Sequence, residues 1–172
     1  MGSWRDWWNG LVDLGELDND SLRRRTEEYW GEVEYHATEE AHCLSCYVEN
    51  LLPYELACAE RAGRLFAHDC DTLVLLVGYS LEPLFQAIGF YQPERVILIL
   101  NRLYGEQSGL GRGADVAEWI DQELSSRLNY KPEIQRFETD DRPDAVFRTL
   151  CEKILPLRQS GHQVLVDITG AR

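Results

Sequence analysis

The run Asp71-Thr72-Leu73-Val74-Leu75-Leu76-Val77-Gly78 constrains the chain more than any other stretch. Leu73 to Val77 is a continuous series of strand-forming apolar residues, far too short to cross a membrane. A strand with no polar alternation must be covered on both faces, the situation of a strand inside a parallel sheet. Gly78 ends the run, Ser80 follows at a helix N-cap position, and Pro83 falls in a first turn, where a missing N–H is harmless. Leu84, Phe85 and Ile88 then have the spacing of a helix that packs back onto the sheet. The unit is strand, tight turn, helix, and its turn directs free backbone N–H groups at whatever lies above the strand.

The same grammar recurs down the chain. Arg95 to Asn101 is a second buried strand, followed by a polar, glycine-rich connection from Tyr104 to Gly113 and a helix over about 114–128. Ile134 to Thr139 alternates and forms a weaker strand. Pro143 opens a helix with Val146, Phe147, Leu150, Ile154 and Leu157 on one side, closed by Ser160-Gly161-His162. Gln163 to Ile168 is a fourth strand, ending in Thr169-Gly170-Ala171-Arg172. Alternating strands and helices predict right-handed crossovers and an α/β, Rossmann-like parallel sheet. If three strands run outward and the fourth returns beside the first, the order is 3-2-1-4. The topological switch point then falls between the first and fourth strands, where ligands collect.

Residues 21 to about 66 are predicted helical, as two or three helices, so the chain divides into a mainly helical N-terminal extension, 1–68, and a Rossmann-like domain, 69–172. Leu22, Tyr29, Trp30 and Val33 are the apolar residues of the first helix, after a cap at Asp18-Asn19-Asp20-Ser21. Glu32, Glu34, Glu39 and Glu40 read as a solvated face. Pro53 should kink or restart a helix, and Gly63 is a stop before the first strand. Trp4, Trp7, Trp8 and Leu11 fit a short amphipathic helix, either packed on its own domain or docked to a partner.

The formal net charge of -13 argues against general affinity for nucleic acid, which needs many phosphate-neutralising cations. A small anion remains compatible, since backbone amides and a few local cations can hold it. Five cysteines without framework spacing fit a reducing, cytoplasmic setting, and no signal peptide or membrane-length apolar run is visible. His42-Cys43-Leu44-Ser45-Cys46, with His36, Cys58, His68 and Cys70, invites a zinc reading, but a second close ligand pair is missing. No metal and no cofactor is therefore expected, and Cys151 reads as a buried thiol.

Gly78-Tyr79-Ser80 and Thr169-Gly170 put hydroxyls and glycines at two strand ends that the 3-2-1-4 order brings together. Glycine lets a phosphate or ribose approach closely, Ser80 can hydrogen-bond it, and Tyr79 can stack on a base. Asn101 and Arg102 stand on the same rim, Arg102 as the natural cation for a phosphate or as an ordinary surface arginine. The Gly105–Gly113 loop is a candidate lid or a plain surface loop; it lacks the G-x-x-x-x-G-K-[ST] order of an NTPase. The turn also lacks G-x-G-x-x-G and the second glycine of a nucleophile elbow, against a nicotinamide or flavin cofactor and against a serine hydrolase.

Leu76-Val-Gly-Tyr-Ser-Leu-Glu-Pro-Leu84, then Pro93-Glu-Arg-Val-Ile-Leu98 and Val166-Asp-Ile-Thr-Gly170, resemble a CRISPR-associated Rossmann fold (CARF) domain over about residues 70–172. The resemblance implies a homodimeric sensor of cyclic oligoadenylate, the second messenger of type III CRISPR antiviral defence. Its half-site would comprise Gly78, Tyr79, Ser80, Asn101, Arg102, Thr169, Gly170, Ala171 and Arg172. The family's second loop often reads Asp-x-Thr-Gly-Gly-Thr-Lys. Here Ala171 replaces a glycine and the sequence stops at Arg172, before the lysine. These departures weigh against inherited cleavage and suggest a domain cut from a longer effector. Two alternatives stay open: a metal-independent ring nuclease, with Ser80 and Arg172 as catalytic candidates, and a protein-interaction module working through the acidic helical region.

Overall fold

A computed structural model describes residues 15–35, 40–64, 70–78, 81–101, 122, 132–140 and 142–168. Its centre is a four-stranded, all-parallel sheet: β1 (Thr72–Val77), β2 (Arg95–Asn101), β3 (Glu133–Thr139) and β4 (Val164–Asp167), in the order β3-β2-β1-β4. This is the α/β, Rossmann-like arrangement that the strand pattern predicts. Val77 pairs with Leu100 on one side of β1, and Leu75 pairs with Asp167 on the other. The entry ends of β1 and β4 are locked by short bonds: the Asp71 amide donates to Gln163 O at 2.8 Å, and the Gln163 amide to Asp71 Oδ2 at 2.9 Å. That clamp sets the register on which the opposite rim depends.

The absence of polar alternation in β1 and β2 is satisfied by cover on both faces. Leu73, Val74, Val96 and Leu98 are fully buried. Burial of each such side chain stabilises the fold by about 1.5–3 kcal/mol. On one face Leu73, Leu75, Val96, Leu98 and Leu100 share a single core with the helices of the N-terminal half and with α4 (Glu82–Tyr91). On the other, Val74, Ile97 and Ile99 meet Leu150, Ile154 and Leu157 of α5 (Pro143–Gln159).

The N-terminal half forms α1 (Asn19–Tyr35), α2 (Glu40–Cys46), a π-helical turn (Tyr47–Leu51) and α3 (Leu52–Arg61). Asp18 caps α1 by accepting the Ser21 amide at 2.6 Å, and that bond holds its carboxyl below the usual range. Pro53 restarts the helix as expected: α3 begins at Leu52, and the proline falls in its first turn, after the π-helical turn. The Leu52 amide donates to Tyr47 O, five residues back, so the wide turn absorbs the site where proline has no N–H. Gly63, at φ +65, stops the chain after α3 as expected. Tyr54, completely buried, donates to Glu16 O and accepts the Asp18 amide at 3.1 Å, tying the segment before α1 to α3.

Three placements differ from the sequence expectation. Trp30 is 60% exposed, because Leu22, Tyr29 and Val33 already define the inward stripe of α1 and Trp30 lies one step round from it. Phe147 is 69% exposed, off the stripe made by Leu150, Ile154 and Leu157. Cys151, beside that stripe, is half-buried rather than buried. Among the described residues no helix is long and apolar enough to cross a membrane.

Candidate functional site

A parallel sheet delivers all its strand exits to one rim, and the order found here sets the exit of β1 beside that of β4. The crossover from β1 leads through α4 to β2, on one side, while β4 arrives from β3 on the other. The chain therefore diverges at the β1–β4 pair, the kind of topological switch point at which α/β sheets bind ligands. β4 stops at Asp167, level with Leu75 and two positions below Val77.

Gly78, the first residue beyond β1, is buried. Asn101 is the last residue of β2, level with Thr139 at the end of β3. Tyr79, Ser80, Arg102, Thr169, Gly170, Ala171 and Arg172 lie outside the described residues, as do the 105–113 loop, the 114–128 segment apart from Gln122, His36 and His68. What the fold brings together is thus the pair of strand ends that carry the two loop motifs.

The start of α4 limits which amides an anion could use. The helix begins at Glu82, with Leu81 rather than Ser80 in the flanking cap position and no side-chain cap bond. Leu81 O already accepts the amides of Leu84 at 3.0 Å and Phe85 at 3.4 Å, and Pro83 has none to offer. Donors for a ligand must come from Glu82 and the turn before it, not from the body of the helix.

The sequence pattern missed several groups around this rim. Thr139 is buried at the end of β3, 3.4 Å from the Thr149 hydroxyl on α5. Asp140 pairs with Arg142 at 3.6 Å in an exposed contact worth little. Glu82 accepts the hydroxyl of Tyr29 from α1. One turn further along α4, Gln86 donates to Glu55 Oε2 at 3.1 Å, and the same oxygen accepts the Tyr47 hydroxyl at 2.7 Å. Burial pushes both tyrosines well above the ordinary phenol value, and the carboxylates beside them add to the shift. Burial also raises the Glu55 carboxyl, against the lowering effect of its two hydrogen bonds. No sequence signal marks these pairs, since Tyr29 and Glu82 stand 53 residues apart.

His42 Nε2 lies 3.6 Å from Cys46 Sγ and 3.9 Å from Glu32 Oε2, so thiol and carboxylate compete for the same ring nitrogen. Burial and the charges of Glu32 and Glu49 raise the Cys46 thiol, keeping it protonated. Among the described residues no group of three His, Cys, Asp or Glu side chains is arranged to hold a metal ion. A groove of about 690 Å³ runs along α1, lined among others by Leu22, Arg23, Thr26, Glu27, Trp30 and Glu34.

No protein-family model matches the chain, and no curated protein matches it either.

Proposed function

We propose that the protein is a cytoplasmic sensor of cyclic oligoadenylate, related to the CARF domains, that binds its ligand at the β1–β4 rim across a homodimer and controls an effector part. One observation carries this reading: β1 and β4 are hydrogen-bonded parallel neighbours, so Gly78-Tyr79-Ser80 and Thr169-Gly170-Ala171 leave adjacent strand ends. Had β4 joined the sheet beside β3, the two motifs could not serve one ligand. Supporting it, the amides of the α4 body are already used, which directs an anion to the turn that carries the motif.

A cyclic ligand with internal two-fold symmetry suits two copies of one half-site. In each copy Ser80 would bond a phosphate or ribose hydroxyl, Tyr79 would stack on an adenine, and Arg102 and Arg172 would supply positive charge. Those two cations matter because the described groups nearest the motif in sequence, Glu82 and Asp167, are acidic. The test is calorimetry against cyclic tri-, tetra- and hexaadenylate, with chromatography of the mixtures afterwards. One ring should bind at a stoichiometry of one per two chains, and Ser80→Ala should weaken it at least tenfold. Failure of every ring to bind overturns the reading, whereas linear products lost in Ser80→Ala would make the protein a ring nuclease.

A further inference from the structure

A helix that covers one face of a sheet ordinarily buries the middle of its apolar stripe. α5 is 17 residues long, yet none of its residues is fully buried. Its sheet-facing side is Leu150, Ile154 and Leu157, set against Val74, Ile97 and Ile99. On the flank toward β3, the Thr149 hydroxyl approaches that of Thr139, and the Lys153 ammonium stands 4.0 Å from the centre of the Phe137 ring. The opposite flank, on the β4 side, carries Phe147, Cys151 and Leu155, and there Phe147 and Leu155 are 69% and 53% exposed. The sheet edge on that side is open as well. Val166, level with Val74 and so on the face that α5 covers, is 38% exposed, and Ile168 after it is 66% exposed.

Along the helix this flank runs Asp144, Phe147, Cys151, Leu155 and Arg158, at intervals of 3, 4, 4 and 3 residues, which place all five on one strip of the surface. The strip is its own complement about Cys151. A large apolar residue stands four positions to either side, and seven positions out an acid faces one way and a base the other, both exposed. A two-fold contact between identical chains requires this form, because residue i meets j where j meets i. With two copies of α5 antiparallel and the axis at Cys151, Phe147 packs on the partner's Leu155 and Asp144 pairs with the partner's Arg158, each contact occurring twice. A parallel pairing would set acid against acid and base against base, so the charges favour the antiparallel one.

We propose that the β4-side flank of α5, with the open edge at Val166 and Ile168, is a self-association surface whose occupant is the α5 of a second copy, running antiparallel. Exposed apolar residues gathered on one strip mark a surface that another molecule covers, and here the charges at its two ends name that molecule. This pairing turns the strand-exit rims of the two copies to opposite ends. It is therefore a different contact from the one across which a ring would be shared, and it does not rest on the ligand reading.

Sedimentation velocity of the full chain without ligand, over a concentration series, tests the proposal, with thermal unfolding of each variant as the control for folding. Wild type should associate reversibly, and Phe147→Glu should weaken that association about a hundredfold, since it places a charge in an apolar contact. Asp144→Lys or Arg158→Glu alone should weaken it about tenfold, because either change turns two attractions into repulsions. Asp144→Lys combined with Arg158→Glu should restore it, a rescue that only the antiparallel register produces. A short bismaleimide should link two chains through Cys151, whose backbones would stand about 8–10 Å apart across packed helices, and should fail in Cys151→Ser. A wild type that stays monomeric, an association that Phe147→Glu leaves unchanged, a double variant no tighter than the single ones, or no link through Cys151 overturns the proposal. The flank would then belong to a different protein or to another segment of this chain. None of these outcomes bears on ring binding, and failure of every ring to bind would leave this contact intact.

Discussion

At Gly89 the two helices α3 and α4 approach so closely that an added Cβ would stand 3.0 Å from both methyl carbons of Leu56. Leu56 is only 2% exposed, within the core shared by the helical layer and the sheet, and has little room to yield. Helix propensity alone favours alanine there by about 1 kcal/mol. Overpacking a well-filled core costs about 1–3 kcal/mol, so the clash decides the sign. Gly89→Ala should therefore destabilise the protein by about 1 kcal/mol in urea unfolding, and Leu56→Val in the same chain should recover part of that loss. A Gly89→Ala protein more stable than wild type would show that Leu56 moves aside freely. Nothing local distinguishes Gly89 in the sequence, because its role depends on a residue 33 positions earlier on another helix. Gly63 and Gly78, by contrast, were legible, since each ends a periodic segment and does its work within the backbone. Trp30 and Phe147 were misplaced for a related reason: a helix stripe read from sequence has soft margins, and tertiary packing chooses which marginal residue is left out.

Between elements, the seam joining α4 to the helical layer depends on groups whose ionisation is coupled to folding. Burial raises the Glu55 carboxyl in the folded protein above its unfolded value. The sign follows from proton counting: between the two values the folded state binds more proton than the unfolded, so stability falls as pH rises through that window. Below the ordinary carboxylate range both states are protonated and the contribution is fully present. Glu55→Gln removes this titration while keeping a carbonyl that can accept from Tyr47 or Gln86. The difference in unfolding free energy between Glu55→Gln and wild type should shift in favour of the variant as pH is raised from 4 to 7, measured by urea denaturation at each pH. A difference independent of pH would mean that the two hydrogen bonds offset burial at this site, and a shift in favour of wild type would mean that they outweigh it. The elements themselves were mostly readable: β1 and β2 as unbroken apolar runs, β3 as a weaker alternating one, α5 from Pro143 to its glycine stop. The π-turn at Tyr47–Leu51 was not, because proline signals that an α-helical hydrogen bond must be lost without saying how the chain compensates.

For the molecule as a whole, the strand order was the decisive expectation, and it followed from chain connectivity and crossover handedness rather than from any single residue. The same reasoning located the rim but not the tyrosine–carboxylate seam beside it, which joins segments that periodicity treats separately. Division of the chain into a helical part and a Rossmann-like part is clear in composition, yet one buried cluster contains Tyr47, Leu51 and Leu56 together with Leu73, Leu84, Ile88 and Leu98. Removing the helical part would strip cover from Leu84, Phe85 and Ile88, at about 1.5–3 kcal/mol for each side chain newly exposed, against a total stability of about 5–15 kcal/mol for an ordinary domain. Three such exposures cost about 4.5–9 kcal/mol, which is comparable with that total. The two parts should therefore melt as one unit: urea transitions followed by tryptophan fluorescence, which includes Trp30 on α1, and by far-ultraviolet circular dichroism should share a midpoint. Residues 69–172 expressed alone should show no cooperative transition. Separate midpoints, or a cooperatively folded fragment, would mean that the shared cluster is a contact between two independent cores.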